Sequence, residues 1–203
     1  MESTEIIIIG GGMVGLSLAH QLLERGISKD IIIFEKEKDL GMHTSGRNSG
    51  VLHAGIYYKP GSLKAKVCIE GSKRLKAWAS SRNLTLNPCG KVVVPTKLSQ
   101  DKEIDLLFKR GVENGAKVEI INNKQLKKIE PLTESPSGRA IWSPKTLVVK
   151  PLEIIKQLET ELTNKGIVFL KEKFIKSINK NEKKIITQDN VSYKYKYFFN
   201  CAG

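Results

Sequence analysis

Gly10, Gly12 and Gly15 follow the spacing Gly-x-Gly-x-x-Gly, and Glu35 lies twenty residues beyond the last of them. The chemistry open to that set is the binding of a pyrophosphate-bridged dinucleotide. Gly10 permits a tight turn, Gly12 lets the backbone approach a pyrophosphate, and Gly15 lets a helix pack closely on a strand. The helix N-terminus then offers its free N–H groups to the anion. A carboxylate at Glu35 accepts a ribose hydroxyl, provided it ends the strand that follows. Glycines alone are weak evidence, so the decision falls on the elements around them.

Those elements are in place. Glu5 to Ile9 is a strand whose four consecutive isoleucines suit a parallel sheet buried on both faces. Met13 to Glu24 reads as a helix and Ile31 to Phe34 as a second strand ending at Glu35. A compact nicotinamide-binding domain would soon start another helix. Here a loop rich in glycine and small donors runs from Gly41 to Tyr58 instead, in which Thr44, Ser45, Asn48 and Ser49 offer hydrogen bonds to phosphates or to the polar edge of a ring.

Further along, Leu63 to Ala79 is predicted as an amphipathic helix with Leu63, Val67, Leu75 and Trp78 on its apolar face. Lys91 to Val94 is a strand. Asp101 to Asn114 is helical, with Ile104, Leu107, Phe108 and Val112 facing a core and Gly115 as its stop. Val118 to Ile121 and Arg139 to Trp142 are short strands bracketing a polar, proline-punctuated stretch. Pro151 opens a helix with Leu152, Ile155, Leu158 and Leu162 on one face, ending near Gly166. Ile167 to Leu170 follows as a strand, then a meander of Phe174 to Ile178, Lys184 to Thr187 and Val191 to Tyr193, and a final strand from Tyr195 to Asn200.

At His43 to Tyr58, continuing as Lys59-Pro60-Gly61-Ser62-Leu63-Lys64-Ala65-Lys66-Val67-Cys68, the chain resembles the FAD-dependent oxidoreductases of the D-amino-acid oxidase type, in their L-2-hydroxyglutarate oxidase and dehydrogenase branch. Cys89-Gly90-Lys91-Val92-Val93-Val94 resembles the next strand of that branch. One departure is Thr146-Leu147-Val148-Val149-Lys150, where many members carry a Gly-Ile-Val-Asp-type segment. The resemblance implies an α/β fold: a Rossmann-like FAD-binding domain from residues 1–80 and 151–203, with an inserted α+β substrate domain at 81–150. It implies FAD as cofactor, contacted by Gly10, Gly12, Met13, Val14, Gly15, Glu35, Lys36, Thr44, Ser45, Arg47, Asn48, Ser49, Gly50, Ile175, Ala202 and Gly203. It also implies hydride transfer from a small-molecule 2-hydroxy acid, with electrons passed on to oxygen or a quinone. His53 is the first choice of base, because a neutral imidazole accepts an alcohol proton near physiological pH; His43 is the second. Tyr57, Tyr58 and Lys59 are placed to contact a substrate carboxylate. The other readings are an amino-acid or amine oxidase, a glycerol-3-phosphate dehydrogenase-like enzyme, and a non-catalytic nucleotide-binding module.

Members of that family are roughly twice the 203 residues present, so the chain reads as an N-terminal half, its FAD domain incomplete at an apolar strand and small-residue turn. The formal charge of +13 does not indicate nucleic acid. Residues 1–60 hold six Lys or Arg against seven Asp or Glu, the remainder 28 against 14, and only six of the 34 basic residues are Arg. A scattered lysine surface of this kind attracts a dicarboxylate or the anionic face of a membrane, so peripheral contact at an inner membrane face is expected, and the three cysteines point to the reducing cytoplasm. Cys68, Cys89 and Cys201 have neither metal-ligand spacing nor an even disulfide framework, and no metal is expected. The apolar N-terminus lacks the basic flank of a signal peptide and is too short to span a bilayer.

Overall fold

The computed structural model describes residues 2–203 and divides them into two compact units, 2–48 with 151–203, and 49–150. In the first unit, β1 (Glu2–Ile9), α1 (Met13–Glu24) and β2 (Ile31–Phe34) form a βαβ unit. With β9 (Val168–Leu170) and β12 (Ser192–Asn200) these strands make a parallel core ordered β12-β1-β2-β9. An antiparallel edge of β11 (Lys184–Thr187) and β10 (Ile175–Asn179) is added beside β12. Ile6, Ile7, Ile8, Ile31, Ile33 and Phe34 are all buried, so consecutive residues on each strand are covered on both faces, which is why no polar alternation interrupts them. α5 (Pro151–Asn164) packs beside α1, burying Ile154, Ile155, Leu158 and Leu162.

Two expectations change here. The segments 191–193 and 195–200 are one continuous strand, β12, which pairs antiparallel to β11 at its start and parallel to β1 along its length. Lys194 and Lys196 break the apolar run without breaking the strand, because alternate side chains point to opposite faces. Leu152 is 48% exposed, and Ile154 takes its expected place in the core of α5.

The second unit holds two three-stranded antiparallel sheets. One is β3 (Val51–Leu52), β8 (Leu147–Val149) and β4 (Leu86–Asn87); the other is β5 (Lys91–Val93), β7 (Arg139–Ser143) and β6 (Glu119–Asn122). The helices are α2 (Leu63–Ser80), α3 (Asp101–Glu113) and α4 (Asn123–Ile129). Residues 49–80, expected with the first unit, belong to this one. Pairing of β3 with β8 ties them in, and Asn114 Nδ2 donates to the carbonyls of Gly55 and Tyr58 at 2.8 and 2.9 Å. α2 also departs from its predicted face: Leu63 and Val67 are 76% and 61% exposed, and the residues it buries are the small Ala65 and Ala79. Val112 of α3 is likewise exposed, leaving Ile104 as the buried anchor of that helix. α4 lies inside the stretch expected to be irregular. Its signal is a capping box, in which Asn122 Oδ1 accepts from Gln125 N–H and Gln125 Oε1 accepts from Asn122 N–H, both at 2.9 Å.

Candidate functional site: a glycine-turn nucleotide cavity

The turn between β1 and α1 is held so tightly that side chains are excluded. Gly10 sits at φ +105°, and a Cβ there would meet the Cys201 carbonyl oxygen at 2.5 Å. At Gly15 a Cβ would lie 2.1 Å from the Gly10 carbonyl oxygen, so the close helix–strand approach expected of the third glycine is present. Gly12 differs from its expected role in one respect. What a Cβ there would strike is Ser45 Oγ, at 2.9 Å, so this glycine makes room for the 41–48 loop.

α1 begins at Gly12 without a side-chain cap and without an acidic residue in its first turn. N–H groups at a helix start have no intrahelical acceptors, so this end presents a positive, donor-rich surface. Met13 N–H donates to Ser45 Oγ at 3.0 Å, which leaves the serine proton free to donate elsewhere. The uncapped start, the missing Cβ atoms and the serine donor fit a pyrophosphate.

Glu35 closes the other side. Its Oε2 accepts from Gly11 N–H at 2.9 Å and its Oε1 from Glu37 N–H at 3.0 Å, so the carboxylate holds the glycine turn to the end of β2 while retaining lone pairs for a ribose hydroxyl. His43 Nε2 lies 2.8 Å from Glu37 Oε1, and this hydrogen bond holds the Glu37 carboxyl below its ordinary range. The loop itself is folded: Gly46 and Arg47 N–H both donate to the His43 carbonyl at 3.1 Å, and Asn48 Nδ2 donates to the carbonyls of Thr44 and Ser45.

These groups open on a cavity of about 700 Å³ within the first unit. Of the residues expected at a cofactor, Gly10, Gly12, Val14, Glu35, Lys36, Thr44, Ser45, Ile175, Ala202 and Gly203 line it, as does His43. Met13, Gly15, Arg47 and Asn48 do not line it; Met13, Gly15 and Asn48 shape the turns that do. Ile9, Phe34, Met42, Lys173, Phe174, Ile178, Asn200 and Cys201 line it without having been anticipated. Lys173 N–H donates to the Glu35 carbonyl at 2.9 Å, and its ammonium pairs with Asp189, which raises the lysine above its ordinary range. The signal for Asn200 and Cys201 was topological: a strand parallel and adjacent to β1 ends beside the glycine turn, and Cys201 N–H donates to the Ile9 carbonyl at 2.7 Å.

The remaining expected residues lie in the second unit. Ser49 is exposed, while Gly50 is buried at φ +65°, its carbonyl accepting Val149 N–H at 2.9 Å. His53 is exposed at the rim of a small cluster with Tyr57, ring centroids 6.2 Å apart and edge-on. Partial burial, and then the charge of Lys91, place its imidazole below the ordinary histidine range, so it is neutral near pH 7. The Tyr58 carbonyl is taken by Asn114 and the Lys59 carbonyl by Ser62 Oγ. Among the described residues no three His, Cys, Asp or Glu side chains gather to hold a metal ion, and no helix is long and apolar enough to cross a membrane.

Residues 5–203 match the family described as DAO, FAD dependent oxidoreductase. Over 201 residues the chain is 39% identical to L-2-hydroxyglutarate dehydrogenase of Indibacter alkaliphilus, covering 98% of the chain and 50% of that protein. It is 34% identical over 216 residues to mitochondrial L-2-hydroxyglutarate dehydrogenase of Homo sapiens, covering 100% of the chain and 46% of the relative. The chain thus spans about half the length of these relatives. In fold it is similar to glycine oxidase from Geobacillus kaustophilus, with a TM-score of 0.87 at 16% identity, covering 100% of the chain and 56% of the other. It is also similar to the FAD-bound L-alpha-glycerophosphate oxidase from Mycoplasma pneumoniae, with a TM-score of 0.80 at 20% identity, covering 98% and 53%.

Proposed function

The chain belongs to the FAD-dependent oxidoreductase family, and on that premise we propose that it binds FAD in the glycine-turn cavity and serves the oxidation of L-2-hydroxyglutarate to 2-oxoglutarate. The observation that carries the cofactor half is the start of α1, whose glycine N-cap offers no side chain, facing a cavity edged by Glu35 and Ser45. The substrate half is supported by relatives named for that reaction at 34–39% identity across nearly the whole chain. When bound, FAD supplies a two-electron acceptor for the hydride on the carbon bearing the alcohol.

The chain's own residues do the rest. The first turn of α1 and the Ser45 hydroxyl would hold the pyrophosphate and Glu35 would accept from the ribose; Lys36, Ile175, Ala202 and Gly203 line the same cavity. Thr44 lines the same cavity, and Arg47 and Asn48 belong to the folded loop that carries it. His53, neutral at working pH, takes the hydroxyl proton, and Tyr57, Tyr58 and Lys59 contact the acid. On this reading oxygen or a quinone would take up the electrons, and the lysine-rich surface would draw a cytoplasmic protein to an anionic membrane face.

The test is anaerobic stopped-flow reduction of the flavin-loaded protein. L-2-hydroxyglutarate should bleach the flavin faster than its D enantiomer, because only one enantiomer presents its C2 hydrogen while the acid is held in place. Equal rates with both enantiomers, or bleaching only by amino acids, would refute the substrate assignment.

A further inference from the structure

Tyr57 gathers two cations and a histidine within the second unit. Lys91 Nζ, from β5, lies 4.5 Å from its ring centroid. Arg110, from α3, donates from Nη1 to its main-chain carbonyl at 3.5 Å. The His53 ring meets it edge-on. Neither cation has a carboxylate within ion-pair distance among the described residues. In the same unit Arg139 is closed by Asp101 and Asp105, and Arg74 by Glu70. The contrast matters: Lys91 over the Tyr57 ring and Arg110 on the Tyr57 carbonyl are two cations on one residue that no carboxylate among the described residues neutralises, and an anion held there gains from each.

On the reading that the substrate is a 2-hydroxy acid, we propose that Lys91 and Arg110, each in contact with Tyr57, form the site that holds a substrate carboxylate beside His53. The groups facing His53 are Lys91 from β5, Tyr57 from its own loop, and Cys68 of α2, whose thiol donates to the His53 carbonyl at 3.4 Å. Lys91 is thus the charge at His53 that a bound carboxylate offsets, and occupancy of the site is readable at the imidazole. A carboxylate on Lys91 moves the His53 midpoint upward; removal of Lys91 does the same.

The experiment follows the histidine ring protons of the full chain by NMR across pH, with His53 assigned through His53→Gln. Glutarate serves as the probe, since it carries both carboxylates and no oxidisable alcohol. In the wild type, glutarate should shift the His53 signals and raise their midpoint. Lys91→Met, which keeps the aliphatic contact with Tyr57, should start from a raised midpoint and bind glutarate about tenfold or more weakly. Lys91→Arg should restore binding, and Arg110→Met should weaken it. Wild-type His53 signals that ignore saturating glutarate would overturn the proposal, as would undiminished binding in both Lys91→Met and Arg110→Met. If Lys91→Met does not fold, the Lys91→Arg and Arg110→Met pair decides in the same way. Flavin reduction by L-2-hydroxyglutarate with an indifferent His53 would sink the site and leave the reaction standing. Glutarate binding without such reduction would sink the reaction and leave the site.

Discussion

Glu35 carries two duties that the sequence presents as one. Position and residue type indicate a ribose acceptor, yet both carboxylate oxygens already accept backbone N–H groups, from Gly11 and Glu37. Hydrogen bonds to a charged group contribute roughly 1.5–3 kcal/mol. Glu35→Ala should therefore destabilise the cofactor-free protein by about that amount, as well as weakening FAD. Urea unfolding with and without FAD separates the two duties. An unchanged midpoint in the cofactor-free variant would reduce Glu35 to a ligand contact alone. The glycine spacing was legible because it encodes backbone sterics: a side chain at Gly10 or Gly15 would strike a backbone carbonyl. Ser45 lining the turn was legible as a donor, but its bond to Met13 N–H was not, because thirty-two residues separate them. Lys173 was invisible for the same reason: nothing local marks a lysine whose amide reaches back to the Glu35 carbonyl.

At the scale of elements, α1 and β2 were read to the residue and β1 was read from Glu5 although it begins at Glu2, while short or two-faced segments were missed. β1 and β2 announce themselves by apolar runs covered on both faces, and α1 by the one face that buries Leu16, Ala19 and Leu22. β3 and β4 are two residues each and exist because β8 pairs with both, which no local pattern records. The apolar spacing of α2 is a true helical period, but Leu63 and Val67 at its start stay exposed while Leu75 and Trp78 are half-buried, so periodicity gave the helix and only the later half of its buried face. α3 is fastened to β7 by charge as well as by Ile104: Arg139 binds Asp101 at 2.6 Å and Asp105 at 2.9 Å. Those bonds hold both carboxyls below their ordinary value of 3.8. A carboxylate depressed in the folded state adds stability that is full above the unfolded value and is lost as pH falls through the folded one. The wild type should therefore outlast Arg139→Met at pH 5–7, and the difference should shrink as pH drops below about 4 and both carboxyls protonate. Thermal melts across that range check the sign. A gap that stays constant into acid would mean that the clamp stabilises through packing rather than charge.

For the whole molecule, the interleaving of two units was legible, because a βαβ start and a late amphipathic helix opened by Pro151 both belong to a parallel sheet. The first break was not; it lies at 48/49, about thirty residues before the expected 80. A sequence cannot state that residues 49–80 are claimed by β8 and Asn114. This division has a thermodynamic consequence that is independent of turnover. A ligand binding only the folded state adds RT ln(1 + [L]/Kd), about 2.7 kcal/mol at a hundredfold excess over Kd, and local openings feel that increment only where the ligand's contacts must break. The cavity is lined wholly by the discontinuous first unit. Hydrogen exchange should therefore slow on FAD addition in residues 5–12, 34–46 and 173–178, the segments that line the cavity or hold its turn, although more than a hundred residues separate the last of these from the others. Residues 101–130 of the second unit should change far less. Protection confined to residues 5–46 would show that the chain's return through β10 and β12 contributes nothing to the cofactor, and the cavity would then have to be redrawn around the glycine turn alone.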